Sequence, residues 1–216
     1  MKDNGIKIGL PKGRMLEDSV AALKKIGVDF SSVLEGSRSL RFESADGTAE
    51  AIVIRPVDLL TYVECGAVDM GIIGYDLIKE QTRDVITALA LDFGTCRLSV
   101  AGPRGRDTIE KAGLSGIRVA TKYPRLASQY FKGKGSHVDI VKLYGAVELA
   151  PLFGISDLIV DLVSTGETLL TNGLEEKEVV MRSSARLVVN RASMRTRQQD
   201  VGRIIERLKR ASAKAV

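Results

Sequence analysis

Histidine occurs once in the 216 residues, at His137, and cysteine twice, at Cys65 and Cys96. That supplies no Cys/His zinc centre and no disulfide framework. The two thiols read as reduced cysteines in a cytoplasmic protein. A Ser/His/Asp triad has no well-placed histidine to draw on, and His137 is assigned no role. Aromatic residues make up 5% of the chain, and no nucleic-acid-binding motif is visible. No apolar run is long enough to cross a bilayer. The start, "MKDNGIKIGLPKGR", lacks the basic and apolar regions of a secretory signal, so a cytoplasmic protein is expected. No G-x-G-x-x-G follows a strand and no G-x-x-x-x-G-K-[ST] occurs, which leaves redox and P-loop chemistry without motif support.

What is present is ordinary for a globular protein: 44% hydrophobic and 27% charged residues, enough chain for one large or two small domains. The net charge of +5 is unevenly placed. Residues 182–216 hold ten Lys/Arg against two Asp/Glu, so the remainder is slightly acidic. A basic tail can meet nucleic acid or an acidic protein partner. Val201, Ile204, Ile205 and Leu208 keep a helical apolar stripe beneath these charges, which favours the solvated face of a terminal helix.

Short β-rich runs alternate with helical stretches, the pattern of a parallel α/β sheet. Strands are expected at 6–10, 51–54, 68–74, near 97–101, 117–121, 138–143, 158–163 and 185–190. Met15, Leu16, Ser19, Val20, Leu23 and Ile26 mark one helix face. Pro56 opens a second helix at a favoured first-turn position, another follows from Tyr75, and the last spans roughly 195–212. Residues 52–80 and 138–173 run through the same strand–helix–Gly–strand–helix order. Gly66-Ala67-Val68-Asp69 falls against Gly154-Ile155-Ser156-Asp157. The match is short, and chance or shared βαβ architecture explains it as well as duplication does, but it suggests two similarly built lobes; if the final strand and helix pack back on the first, the chain crosses between them near 91–97 and near 178–184, with a ligand facing strand ends and helix N-termini in the cleft. The lobes are expected at 1–93 with 180–216 and at 94–179.

"LIVDLVSTGETLLTNG" (158–173) carries the strongest chemical signal. Asp161 lies near the end of an apolar strand, and a carboxylate there can accept hydrogen bonds from two neighbouring ribose hydroxyls. Ser164, Thr165 and Thr168 add hydroxyls, Gly166 allows close backbone approach, and the turn into a helix presents N–H groups to a phosphate. A ribose 5-phosphate cradle uses all of them. An ordinary capping turn, with Thr165 as N-cap and Thr168 at the third helical position, is the alternative. "LPKGRM" (10–15) also joins a strand to a helix, and Lys12 and Arg14, flanking Gly13, can hold a pyrophosphate or triphosphate there, with ordinary solvated surface cations as the alternative. Arg55, before Pro56, is a third cation of the same kind. Glu148 and Asp157 can orient a sugar or a magnesium ion carried in by a phosphate, or serve as surface acids or caps. The loops "GPRGRD" (102–107) and "FKGKGSH" (131–137) can touch phosphate, but solvated loop ends are the simpler reading.

The segments "GLPKGRMLEDS", "VDLLTYVECGAVDMGIIGYDLI", "RVATKYPRLASQYF" and "GAVELAPLFGISDLIVDLVSTGETLLTNGL" resemble the ATP phosphoribosyltransferase family, in family order over most of the chain. The resemblance implies a two-lobed, type II periplasmic-binding-protein-like α/β fold with the active site in the interlobe cleft. It implies 5-phosphoribosyl 1-pyrophosphate held by Asp161, Ser164, Thr165, Gly166, Glu167 and Thr168, with Lys12 and Arg14 on the phosphates. It extends less closely to Gly13, Arg55, Asp69, Glu148 and Asp157. Magnesium is expected with the substrates rather than on protein ligands. The length suits the short form of the family, lacking a C-terminal regulatory domain. That implies a separate regulatory subunit similar to histidyl-tRNA synthetase and a homodimer within a hetero-octamer, with neither nucleic acid nor membrane as partner.

The implied reaction opens histidine biosynthesis. Adenine N1 of ATP attacks C1 of the ribose, and pyrophosphate leaves with inversion. N1 has a free lone pair, so no strong base is needed; orientation and charge neutralisation do the work. A non-catalytic two-lobed binding module is the alternative from another class, and a nucleic-acid binder acting through the tail is a third.

Overall fold

The computed structural model describes residues 5–105 and 116–213. The chain divides into two compact units, one of residues 1–94 and 184–216, the other of residues 95–183. Each has its own sheet.

In the first unit the sheet contains β1 (Ile6–Pro11), β2 (Arg41–Glu43), β3 (Ala49–Ile54), β4 (Met70–Gly74), β5 (Ile86–Ala90) and, from the end of the chain, β11 (Ala185–Val189), in the order β2-β3-β1-β4-β11-β5. β1 pairs in parallel with β3 and β4. The helices α1 (Leu16–Lys25), α2 (Pro56–Glu64) and α3 (Tyr75–Gln81) follow β1, β3 and β4 in turn. α1 buries Ser19, Val20 and Leu23, and sets Glu17 and Asp18 in its first turn and Lys24 and Lys25 in its last, matching the helix dipole at both ends. Pro56 supplies the fixed φ that starts α2. Gly66, at φ +74°, continues the chain past that helix in a left-handed conformation costly for other residues. Ile8, Leu10, Leu23, Phe30, Met70, Ile72 and Leu187 fill one side of the sheet, while Leu59, Leu60, Val63 and Ile73 fill the other.

The second unit contains β6 (Cys96–Pro103), β7 (Ile117–Thr121), β8 (Val138–Lys142), β9 (Leu158–Val163) and β10 (Leu174–Ser183), in the order β10-β6-β9-β7-β8. α4 (Pro124–Gly133) joins β7 to β8, a short 3₁₀ turn (Val147–Leu149) precedes β9, and α5 (Glu167–Thr171) follows it. β7 is parallel to β8 and β9, whereas β6 is antiparallel to both β9 and β10.

Both sheets are thus mixed, not purely parallel. β11 runs against β4 and β5 because the chain returns to the first sheet from the other direction. The two crossings lie side by side: Cys96 pairs with Ser183 at the end of the β6–β10 ladder, and the Leu91 and Ala185 amides donate to Ala185 and Phe93 carbonyls. The C-terminal helix is broken into α6 (Arg191–Thr196) and α7 (Gln198–Ala213). Asn190 caps α6, its side chain accepting from the Ser193 amide at 2.9 Å. The apolar stripe of α7 is buried through Val201, Ile204 and Leu208, while Arg203, Arg207, Lys209 and Arg210 face outward. Lys214 of the basic tail lies outside the described residues.

Candidate functional site

In an α/β unit the ligand groups gather where parallel strands end and helices begin. In the first unit those ends carry cations. The Lys12 amide donates to the Ile54 carbonyl at 2.8 Å, extending the β1–β3 ladder by one rung. Lys12, Gly13 and Arg14 therefore leave β1 beside Arg55, which leaves β3, and all four residues are exposed. Gly13 takes φ +104° to turn the chain into α1, and its carbonyl accepts from the Leu16 amide. Arg55 is the N-cap of α2.

Asp69 is not with them. It precedes β4, at the opposite end of the strands. Its Oδ2 accepts from the Lys7 amide at 2.8 Å and from Arg197 Nη1 at 2.9 Å, and its Oδ1 from Ser193 Oγ at 2.7 Å. Lys7 and Lys12 are five residues apart on one extended strand, roughly 16 Å. The expectation that Asp69 serves the ligand is therefore corrected: it joins β1, β4 and the C-terminal helices. A cavity of about 510 Å³ at this same end is lined in part by Gly5, Asp46, Arg197, Arg203 and Arg207. Arg197 is committed to Asp69, and Arg203 lies 3.7 Å from Asp200.

In the second unit β9 delivers Asp161 and the turn 164–166. The Asp161 side chain is 19% exposed, with Oδ2 3.9 Å from Lys122 Nζ. Its Oδ1 accepts from the Leu162 amide at 2.8 Å. Ser164, Thr165, Glu167 and Thr168 are exposed. The cap differs from the ordinary one expected: Gly166, at φ +89°, is the N-cap of α5, and Thr165 Oγ1 accepts from the Glu167 amide at a long 3.4 Å. A residue with a Cβ resists this left-handed φ, which explains the glycine without any packing demand; a Cβ there would meet Val163 at 3.8 Å.

Lys122 is a residue that the sequence reading missed. It follows β7 as Lys12 follows β1, and "TKYPR" carried the signal: a cation between a strand and a proline-started helix. Arg97, Ser99 and Glu176 were missed too. Arg97 Nη1 donates to the Ser164 carbonyl at 2.9 Å, and its Nε and Nη2 donate to Glu176 at 2.6 Å each. Arg97 holds the Glu176 carboxyl below its ordinary value of 4.5, burial opposing and the Ser99 hydroxyl assisting. Nothing in the strand pattern pairs residues 77 or 79 positions apart.

Glu148 sits half-buried in the 3₁₀ turn that follows β8. Asp157 lies apart from the 164–168 turn. It opens β9 at the far end, where its Oδ2 accepts from the Arg118 amide at 2.9 Å and lies 3.6 Å from Arg118 Nε. Its expected ligand role is corrected to pinning β7 against β9. The described part of "GPRGRD" ends β6 at that far end, with the Arg104 amide on the Gly173 carbonyl; Arg106 and Asp107 lie outside the described residues. "FKGKGSH" closes α4 ahead of β8, also at the far end. Among the described residues no three His, Cys, Asp or Glu are grouped to hold a metal ion.

The two mixed α/β units and the two crossings of the chain between them define a type II periplasmic-binding-protein-like fold. The periplasmic aliphatic sulphonate binding protein SsuA of Escherichia coli has this fold at 14% identity and a TM-score of 0.58, covering 99% of this chain and 71% of its own. The HisG family model, ATP phosphoribosyltransferase, matches residues 55–210. An ATP phosphoribosyltransferase of Citrifermentans bemidjiense is 48% identical over 206 residues, 94% of this chain and 96% of its own. An ATP phosphoribosyl transferase (HisG:HisZ) complex from Thermotoga maritima matches at 35% identity and a TM-score of 0.82, over 97% of this chain and 99% of its own. The chain belongs to the ATP phosphoribosyltransferase family, enzymes of the pentosyltransferase class.

Proposed function

We propose that this chain performs its family's reaction, the first step of histidine biosynthesis, with the ribose 5-phosphate of 5-phosphoribosyl 1-pyrophosphate held by Asp161 and the turn 164–168. The supporting observation is a half-buried carboxylate three residues ahead of an exposed, hydroxyl-lined turn that bends through the left-handed Gly166. Asp161 takes the ribose 2- and 3-hydroxyls; Ser164, Thr165, Thr168 and the amides of 166–168 take the phosphate. Lys12 and Arg14, with Gly13 bending the chain between them and Arg55 at the neighbouring strand end, act on the pyrophosphate and on the phosphates of ATP. Glu148 orients the sugar.

Adenine N1 brings its lone pair to C1 as the C1–O bond to pyrophosphate breaks. Pyrophosphate carries the bonding pair away, and the configuration at C1 inverts. The protein's contribution is to align the two reactants and to neutralise the leaving charge. Magnesium fits as a companion of the substrates: the described residues offer no carboxylate cage, and this small ion is bound chiefly through phosphates and water. Bound there, it supplies positive charge to the pyrophosphate.

We also propose a cytoplasmic location, where ATP is made, and a hetero-oligomer with a HisZ-type regulatory subunit, of the kind solved with the Thermotoga maritima relative. No described helix is long and apolar enough to cross a membrane. The test is pyrophosphate release from ATP and 5-phosphoribosyl 1-pyrophosphate with magnesium, with and without the partner. One pyrophosphate per phosphoribosyl-ATP is expected; binding of both substrates without release under either condition contradicts the proposal.

A further inference from the structure

The turn 164–168 gains little from packing. Four of its five residues are exposed, and the Thr165–Glu167 bond within it is 3.4 Å long. A phosphate site needs donors fixed to within about 0.5 Å, so the start of the turn must be anchored from outside. β6 provides an anchor. Arg97 lies opposite Val163 in the antiparallel β6–β9 ladder, and its Nη1 donates to the Ser164 carbonyl at 2.9 Å.

The guanidinium is itself locked. Nε donates to Glu176 Oε1 and Nη2 to Oε2, both at 2.6 Å. Ser99 Oγ donates to Oε1 at 2.7 Å. The Arg97 and Glu176 side chains are 28% and 24% exposed. A two-pronged arginine–carboxylate pair fixes the plane of the guanidinium as well as its distance. The remaining Nη1 is therefore aimed by β10, through Glu176, at the first carbonyl of the turn.

We propose that Arg97, held by Glu176 and Ser99, is the positioning residue of the phosphate turn: it sets the Ser164 carbonyl and so places the hydroxyl and amide donors of 164–168. This rests on the reading of that turn as the ribose 5-phosphate site. Glu176 balances the arginine charge, so the effect is geometric and falls on 5-phosphoribosyl 1-pyrophosphate, not on ATP. Lysine keeps the charge at position 97 but loses the fork.

The test is steady-state kinetics of the full-length enzyme, with its regulatory partner if activity requires it, in Arg97→Lys, Glu176→Gln, Thr168→Val and Arg41→Lys. Arg97→Lys and Glu176→Gln are expected to raise the KM for 5-phosphoribosyl 1-pyrophosphate by roughly five- to tenfold, with the KM for ATP and kcat changed by less than about twofold. Arg41→Lys breaks an equally short pair with Glu50 (2.6 Å) far along the sequence in the other unit and should move neither KM. A Thr168→Val enzyme with raised KM beside an unchanged Arg97→Lys enzyme overturns the positioning role while leaving the turn's role standing. Thr168→Val with unchanged KM removes the phosphate site and the inference with it. Equal losses for both substrates with a lowered Tm in Arg97→Lys assign the arginine to general stability and overturn the inference. Glu176→Gln carries the test where Arg97→Lys does not fold.

Discussion

Asp69 and Asp157 occupy matching places in the two units, yet they bear different loads. Each precedes a parallel strand, accepts the amide of the neighbouring strand's residue, and donates its own amide back to that residue's carbonyl: Lys7 for Asp69, Arg118 for Asp157. The shared Gly-x-x-Asp spacing is thus a strand-pinning device used twice. In the first unit the same carboxylate also takes Ser193 and Arg197, tying the returning end of the chain to β1 and β4. In the second the carboxylate's one ion pair among the described residues is a 3.6 Å contact with Arg118, and its side chain is 39% exposed. A sheet whose final segment arrives from another unit needs a tie that a continuous unit does not.

The largest effect should come from breaking that tie. Asp69→Ala removes the acceptor that the Lys7 amide, Ser193 Oγ and Arg197 Nη1 share, costing about 3 kcal/mol. Tm should fall by roughly 6–12 °C, with turnover of the folded fraction near wild type. Calorimetry with activity measured below the transition checks both, and a loss of turnover at unchanged Tm would return Asp69 to the active site. Next come the residues at the other strand ends. Asp161→Ala and Lys12→Ala should each lower turnover at saturating substrates by about tenfold or more, some 1.4 kcal/mol, at unchanged Tm. Near-normal rates remove that residue from the site. Asp157→Ala, with its exposed partner, should cost about 1 kcal/mol or less, read as a shift in the urea midpoint; a loss equal to that of Asp69 would erase the contrast between the units.

The smallest effect is pH-dependent. Arg97 holds the Glu176 carboxyl below 4.5 in the folded chain. A depressed folded-state value contributes stability that is complete above the unfolded value and is lost as pH falls through the folded one. The urea midpoint of wild type should therefore exceed that of Glu176→Gln by a constant amount between pH 7 and about 5, with the gap narrowing at lower pH. A gap that widens on acidification contradicts the assignment.

Residues with local chemistry were legible in the sequence. Pro56, Gly166 and the apolar runs around Ile8 and Val160 announce their own elements, and β7 and β9 lie where the pattern places them. Edge strands were not legible. β10, "LEEKEVVMRS", carries so many charges because among the described residues it pairs with β6 alone and remains largely half-exposed, so its alternation is hidden. β2 and β5 are short or half-exposed edges of the same kind. In the candidate site, Asp161 and the hydroxyl turn are contiguous and could be read directly. Asp69 and Asp157 misled because a carboxylate beside a strand looks alike at either end, and only the register shows which end is which. Lys122, Arg97 and Glu176 became visible only when strands distant in sequence were placed side by side.

The proposed seat of the ribose 5-phosphate of 5-phosphoribosyl 1-pyrophosphate on Asp161 and the turn 164–168 is open to a decisive measurement: a crystal structure with that substrate and magnesium. The phosphate is expected within hydrogen-bonding distance of the Thr165 and Thr168 hydroxyls and the turn amides, with both ribose hydroxyls on Asp161. A phosphoribosyl group bound elsewhere, with this turn still facing bulk solvent, would contradict it.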